Sequence, residues 1–307
     1  MGKQITYCLV FCCALILGAC QTVVQIDLPE RDSKLVLNAE AHPDSVWRFY
    51  LSQSKGILEP GELEPVLNGE ITIAGSDGSY EVLDQVYDEA FGVSFPVYRG
   101  TGKPVSGVSY QVLATAAGFE PITALDSLPE PVPILGLDTA STIIEDQDFF
   151  ELMVTFEDPI QTDYYDLRLF YFLELPFDTG SGQFTNTAYL GEIPYNFEVE
   201  SFFDGGASTV INDERFNGQT YTLPVVFSKS VLDAVAEEEL FQLFPAYVIC
   251  ELRTVSETYY KYAESFDDYQ SSSFDPFSQP VQVYSNVSQG FGVFTAFSVS
   301  RDTIRIN

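Results

Sequence analysis

The sequence is poor in basic residues and in histidine. Lysine and arginine together number 14 of 307 residues, against 45 aspartates and glutamates, and the formal net charge is −31. This charge repels phosphate backbones and anionic headgroups, so nucleic acid is excluded as a partner. His42 is the one histidine of the chain. Hydrolytic triads, histidine metal sites and paired acid–base histidines are therefore not expected, because each draws on histidine.

The common enzyme signatures are also missing. The sequence contains no Gly-x-Ser-x-Gly elbow, Walker loop, His-Glu-x-x-His motif or dinucleotide-binding glycine pattern. The acidic clusters at residues 145–148 and 267–275 lack the spacing of an EF-hand, so we name no metal ligands, although calcium binding by an acidic loop stays open. We predict a protein that is not an enzyme, with no catalytic residues and no cofactor.

Long hydrophobic runs are absent except at the start of the chain. Lys3 precedes an apolar run over residues 5–17, which is shorter than the roughly 20 residues of a membrane-spanning helix. The run ends in Leu17-Gly18-Ala19-Cys20, which resembles the bacterial lipobox, in which the cysteine is lipidated and becomes the mature N-terminus. We predict a signal peptide at residues 1–19 and a tether at 20–32 that is lipidated on Cys20.

Cysteine is scarce once that leader is removed. Lipidation would use Cys20, and Cys250 would be the remaining thiol, so no internal disulfide is expected. Cys250 alternates with Val248 and Leu252 along a predicted strand. This pattern favours a buried, apolar role for Cys250 over that of a nucleophile.

The body of the chain has the spacing of a β-sandwich protein. Short alternating runs are separated by turn residues, and Asp77-Gly78 is a strong hairpin signal. We predict an immunoglobulin- or transthyretin-like sandwich over residues 33–127. Prolines 129, 131 and 133 mark a boundary, after which residues 128–307 form a second β-rich domain. Two helices are predicted in that domain, near 230–243 and 256–271.

A set of tyrosines and a late glycine motif give the chain its most distinctive pattern. The late motif has the form Ser-Asn-Val, two residues, then Gly-x-Gly-x-Phe. The residues are Tyr164, Tyr165, Tyr259, Tyr260, Tyr262, Asn286, Gly290, Gly292 and Phe294. This pattern resembles a Bacteroidetes outer-membrane lipoprotein family of unknown function, over nearly the whole mature chain. We interpret the motif as structural, since asparagine and glycine permit tight turns.

The resemblance also implies a partner. Members of that family are typically encoded beside TonB-dependent receptors. We therefore expect a lipid-anchored protein of the outer membrane, at the cell surface, that docks on such a β-barrel and assists cargo capture or gating. The alternative is an accessory subunit of another envelope complex, for outer-membrane protein assembly or export. A glycan-active enzyme and an adhesin are further alternatives.

Overall fold

The computed structural model describes residues 32–56, 59–90, 93–144, 147–178, 184–195, 210–230, 246–273, 279 and 281–306. The elements of the described residues are, in chain order, β1 (Leu35–Ala41), β2 (Arg48–Gln53), β3 (Glu64–Pro65), β4 (Glu70–Gly75), β5 (Tyr80–Val82), β6 (Asp84–Ala90), β7 (Val93–Arg99), β8 (Ser109–Thr115), β9 (Ile122–Ser127), β10 (Ile134–Ile144), β11 (Gln147–Glu157), β12 (Tyr164–Asp178), β13 (Phe184–Glu192), β14 (Val210–Asn212), β15 (Thr220–Ser228), β16 (Ala246–Val255), α1 (Glu257–Ser273) and β17 (Phe291–Ile306). The predicted mainly β fold is confirmed.

The strands form one large sheet and two small ones. The ten-stranded sheet has the order β13-β12-β16-β17-β1-β2-β7-β6, with β14 added beside β12 and β3 beside β2. The four-stranded sheet has the order β5-β4-β8-β9, and the three-stranded sheet has the order β10-β11-β15. The large sheet therefore takes strands from both the early and the late parts of the sequence.

Strand β17 joins these two parts of the large sheet. Its first six residues pair with β1 in parallel, from Phe291 opposite Val36 to Ala296 opposite Ala41. Its remaining residues pair with β16 in antiparallel fashion, beginning with Phe297 opposite Val255. The last strand is thus hydrogen-bonded both to the first strand and to the late strands.

Each small sheet packs on one part of the large sheet. One buried core joins β1, β2 and β17 to β4, β8 and β9, and it includes Trp47, Phe49 and Phe294. A second core joins β12 and β16 to β10, β11 and β15, and it includes Phe156 and Leu252. Alternating side chains face these cores, as expected for sheets with one buried face. The arrangement is sandwich-like in both parts.

Helix α1 covers the middle of β17. Ser256 precedes the helix, and its Oγ accepts a hydrogen bond from the backbone N of Tyr259 at 3.1 Å, which is an N-cap contact. Tyr259 then packs against Val255, Val210 and Phe297 in a small third core. The predicted helix near 256–271 corresponds to α1, whereas the one predicted near 230–243 lies, apart from Ser230, outside the described residues.

The predicted boundary near residue 128 falls between β9 and β10. The three prolines before β10 lie in a segment that is neither helix nor strand, and the backbone N of Val132 donates to Thr254 Oγ1 at 3.0 Å. Residues Ser33–Asn307 group as one compact unit. The division into domains at 33–127 and 128–307 stays a prediction. In the described part of the chain, no helix has the length and apolar character needed to cross a membrane.

Candidate functional site

The late sequence motif, residues 285–294, forms a turn that is hydrogen-bonded to the start of β17. Asn286 accepts a hydrogen bond from the backbone N of Phe294 at 3.0 Å through Oδ1. Its Nδ2 donates to the carbonyl of Phe294 at 2.8 Å and to that of Leu125, in β9, at 3.0 Å. The Asn286 side chain therefore links β9 to β17 through hydrogen bonds to the backbone of both strands. Phe294 is fully buried in the first core.

The two motif glycines stand where the chain crosses β1 closely. Gly292 has φ of +99°, and a Cβ at this position would lie 2.0 Å from the carbonyl oxygen of Leu37. A Cβ on Gly290 would lie 2.6 Å from the carbonyl oxygen of Leu35. At Gly292 both the backbone angle and the space exclude a side chain, and at Gly290 the space alone does. These placements support a structural role for the motif.

The motif tyrosines divide between helix α1 and the start of β12. Tyr164 stacks on Tyr260 with ring centroids 4.6 Å apart, and Tyr262 stacks on Phe266 with centroids 5.8 Å apart. Tyr260 donates to Glu264 at 2.5 Å. Burial and the neighbouring Glu264 carboxylate raise the pKa of Tyr260 to about 12. The stack of Tyr164 on Tyr260 thus joins the helix to β12, whereas the Tyr262–Phe266 stack lies within the helix.

Beneath the helix lies a network of buried charge. Tyr259 donates to Asp166 at 2.7 Å, and Arg168 Nε donates to the same carboxylate oxygen at 3.0 Å. Glu251, one strand away, accepts from Arg301 Nε at 2.6 Å and from Arg253 at 3.1 Å. These arginines hold the pKa of Glu251 below its usual range, against the opposing effect of its burial. The buried acids of this network are paired with arginines.

A second carboxyl links the first core to the helix. Asp126 of β9 is buried and accepts a hydrogen bond from Ser256 Oγ at 2.6 Å. Burial raises the pKa of Asp126 from its ordinary value near 3.8 to about 6, although the hydrogen bond from Ser256 opposes that rise. The Asp126 carboxyl therefore titrates close to neutral pH.

Tyr165 contacts a cluster of three buried acids. The Tyr165 hydroxyl donates to Asp158 at 2.5 Å. Asp158, Asp163 and Asp213 each place one carboxylate oxygen within 4.8 Å of those of the other two. Asp158 and Asp163 lie in the segment between β11 and β12, and Asp213 follows β14. Burial, with a smaller contribution from the other acids, raises the pKa of Asp163 to about 6.

Cys250 and His42, the thiol and the imidazole considered as catalytic groups, both pack against other side chains. Cys250 is fully buried in the second core, as predicted, and burial raises the pKa of its thiol to about 12. His42 stacks on Phe297 with centroids 5.0 Å apart, and burial lowers its pKa. A thiol with this pKa is almost entirely protonated at neutral pH and is a poor nucleophile.

The outer face of the four-stranded sheet has two adjacent cross-strand rows without charge. Its cross-strand rows run Val82–Thr72–Leu113–Thr123 and Tyr80–Ala74–Gln111–Leu125. Leu125 is 61% exposed, and Tyr80, Val82 and Leu113 are exposed too. Neither row contains a charged residue. This surface, defined by these eight residues, is called the uncharged face below.

The structure places the sequence candidates in different regions. Asp267 and Asp268 are exposed on α1, whereas Asp275 and residues 145 and 146 lie outside the described residues. Cys20 also lies outside them. The buried acid cluster was missed, since Asp163 and Asp213 are 50 residues apart in sequence. Of the residues that carry the family resemblance, Tyr164 and Tyr165 lie in that region, directly after Asp163.

The fold and these sites define a mainly β protein with two sandwich-like parts, in which each small sheet packs on the same large sheet. The chain belongs to the family described as Domain of unknown function (DUF4249), whose model matches residues 21–303. None of the curated proteins compared with the chain matches it.

Proposed function

We propose that this protein is a lipoprotein of the outer membrane, anchored through Cys20 at the cell surface. In this proposal it docks without catalysis on a TonB-dependent receptor-type β-barrel and assists cargo capture or gating. The anchor is inferred from Leu17-Gly18-Ala19-Cys20. Two or three acyl chains bind a bilayer stably, because each buried methylene contributes about 0.8 kcal/mol. The barrel as partner is inferred from the family resemblance.

The observation that carries the docking proposal is the uncharged face. It presents Tyr80, Val82, Leu113 and Leu125 together on a protein whose net charge is −31. Interfaces between proteins bury apolar and aromatic side chains at their centres and exclude most charge there. A sheet face of this composition fits the apolar loops or rim of a membrane protein better than an anionic lipid surface.

The charge of the body supports the same placement. An acidic body is repelled from anionic headgroups, so a lipid tether would hold it near the membrane without letting it lie on the surface. The body then remains free to meet a partner that rises from the membrane. Docking, in this proposal, needs no bond-making step.

Affinity purification of the protein from solubilised native membranes, with mass spectrometry of what co-purifies, tests the proposal. We expect one TonB-dependent receptor with the natural chain and loss of that receptor with the Leu113→Glu/Leu125→Glu double variant. Ile143→Glu is the matched control, because Ile143 is 71% exposed on β10, which belongs to the three-stranded sheet. The control should retain the receptor.

Other outcomes contradict the proposal. Recovery of the protein alone in several mild detergents would rule out a stable complex with a barrel. Recovery of an assembly or export component in place of a receptor would favour the alternative, an accessory subunit of such a complex. Equal loss of the receptor with Ile143→Glu would show that the uncharged face is not the docking surface.

A further inference from the structure

We propose that Asp158, Asp163 and Asp213 bind one Ca²⁺ ion where the segment between β11 and β12 meets the segment between β14 and β15. This site is independent of the docking proposal. It rests on the way the three acids are held together, on their lack of a counter-charge and on an unpartnered buried oxygen.

Backbone and amide contacts hold the two segments together. The backbone N of Asp163 donates to Asp213 Oδ2 at 2.8 Å, and the backbone N of Asp213 donates to the carbonyl of Asp163 at 3.2 Å. Asn217 Nδ2 bridges the segments by donating to the carbonyl of Gln161 at 2.7 Å and to Asp213 at 2.9 Å. Asp158 is held by the Tyr165 hydroxyl and by the backbone N of Gly218, which donates to its Oδ2 at 2.8 Å. All three carboxylates are thus positioned by the scaffold, as a preformed ligand set requires.

The cluster has no basic residue to offset its charge. Within the described ranges, neither lysine nor arginine forms an ion pair with any of the three acids. Three other buried or half-buried acids have arginine partners: Asp166 has Arg168, Glu251 has Arg253 and Arg301, and Asp88 has Arg48 and Arg99. Three ionised carboxylates so close together repel one another, and a bound cation would offset that repulsion.

One oxygen of the cluster has no partner at all. Asp163 is 6% exposed, and its Oδ1 accepts a hydrogen bond from Gln161 Nε2 at 3.0 Å. Its Oδ2 is buried and has no hydrogen-bond partner. A buried carboxylate oxygen without a partner is costly, and a metal ion is one of the partners that satisfies it.

The ligand atoms favour calcium over other ions. The cluster offers carboxylate oxygens, which suit a hard cation. Oxygens within 4.8 Å of one another can share an ion at the distance of about 2.3–2.6 Å that Ca²⁺ prefers. Mg²⁺ needs shorter contacts of about 2.0–2.1 Å in near-octahedral geometry, and Zn²⁺ favours nitrogen and sulfur ligands.

Thermal unfolding of the full chain in detergent, with EDTA or with millimolar Ca²⁺, tests the site. We expect Ca²⁺ to raise the Tm of the natural protein by at least about 5 °C. Asp163→Asn should abolish this shift, and in EDTA it should unfold at or above the Tm of the natural protein, because one repelling charge is gone. The matched control Asp138→Asn, at an exposed position of β10, should keep the full shift.

A direct binding measurement keeps the proposal testable if a variant folds poorly. Tb³⁺ replaces Ca²⁺ in oxygen sites and is sensitised by nearby tyrosine, and Tyr165 touches Asp158. We expect one sensitised Tb³⁺ per natural chain, displaced by Ca²⁺ at lower concentration than by Mg²⁺. A Tm unaffected by Ca²⁺, no saturable Tb³⁺ emission, or equal Ca²⁺ shifts in Asp163→Asn and Asp138→Asn would overturn the proposal.

Discussion

At the scale of single residues, the strictest steric constraint lies at the start of β17. Gly292 combines a left-handed backbone angle with an approach to Leu37 that leaves no room for a side chain. The amide of Asn286 then fixes the backbone of Phe294 two residues further on. This short stretch therefore sets how β17 enters the sheet beside β1.

Replacing Gly292 by alanine tests that constraint. The added Cβ would lie 2.0 Å from the carbonyl oxygen of Leu37, so the strand must shift. We expect the free energy of unfolding to fall by about 3 kcal/mol or more, as measured by denaturant titration. Gly136→Ala is the control, since a Cβ there meets no atom within 4 Å. Similar losses in the two variants would contradict this account.

Asp126 gives a prediction about pH. Its pKa is about 6 in the folded protein and near 3.8 when unfolded, so the folded state favours the protonated form. Its contribution to stability is therefore fully present below about pH 4 and is lost as the pH rises through about 6. The loss amounts to about 3 kcal/mol.

The Asp126→Asn variant isolates this contribution, because asparagine cannot ionise. We expect the unfolding free energy of the natural protein, minus that of the variant, to fall by about 3 kcal/mol between about pH 4 and pH 7. Denaturant titrations across this range measure the difference. A difference that stays constant with pH would show that Asp126 does not titrate as its burial implies.

The sequence predicted some of these residues and not others. Asn286, Gly290 and Gly292 were recognisable, because asparagine and glycine mark turns whatever follows in the fold. The contact of Asn286 with Leu125 was not, since the two are 161 residues apart. The acid cluster escaped for the same reason: among 45 acidic residues, no local spacing distinguishes those that meet in three dimensions.

At the scale of elements, β17 is the connection between the two cores. Its first part pairs with β1 and its later part with β16. Sequence periodicity carries no information on which strands β17 joins. The sequence therefore indicated the boundary at the prolines near residue 130 and did not show that one sheet continues past it.

A core substitution tests whether β17 couples the two parts. Phe294 is fully buried in the first core, so Phe294→Ala should cost about 3–5 kcal/mol. We expect amide hydrogen exchange to quicken in β16 and β12 as well as in β1 and β2. Tyr80→Ala, on the uncharged face, should leave exchange unchanged. Faster exchange confined to the first core would instead support independent domains.

At the scale of the whole molecule, the proposed lipid anchor at Cys20 predicts where the protein is found. We expect Cys20→Ser to move the protein from the membrane fraction to the soluble fraction, because the residue that would carry the lipid is lost. Cys250→Ala should stay with the membrane, since Cys250 is buried in the second core. Fractionation and mass spectrometry of the N-terminal peptide measure both results. Unchanged membrane association of Cys20→Ser would contradict lipidation at that position.

The central claim is that the uncharged face contacts a membrane β-barrel. A photo-reactive amino acid placed at position 125, and separately at position 143, tests this contact in intact cells. The account predicts one cross-linked adduct from position 125 that contains a TonB-dependent receptor, and no such adduct from position 143. No receptor adduct from position 125, or the same adduct from both positions, would contradict the claim.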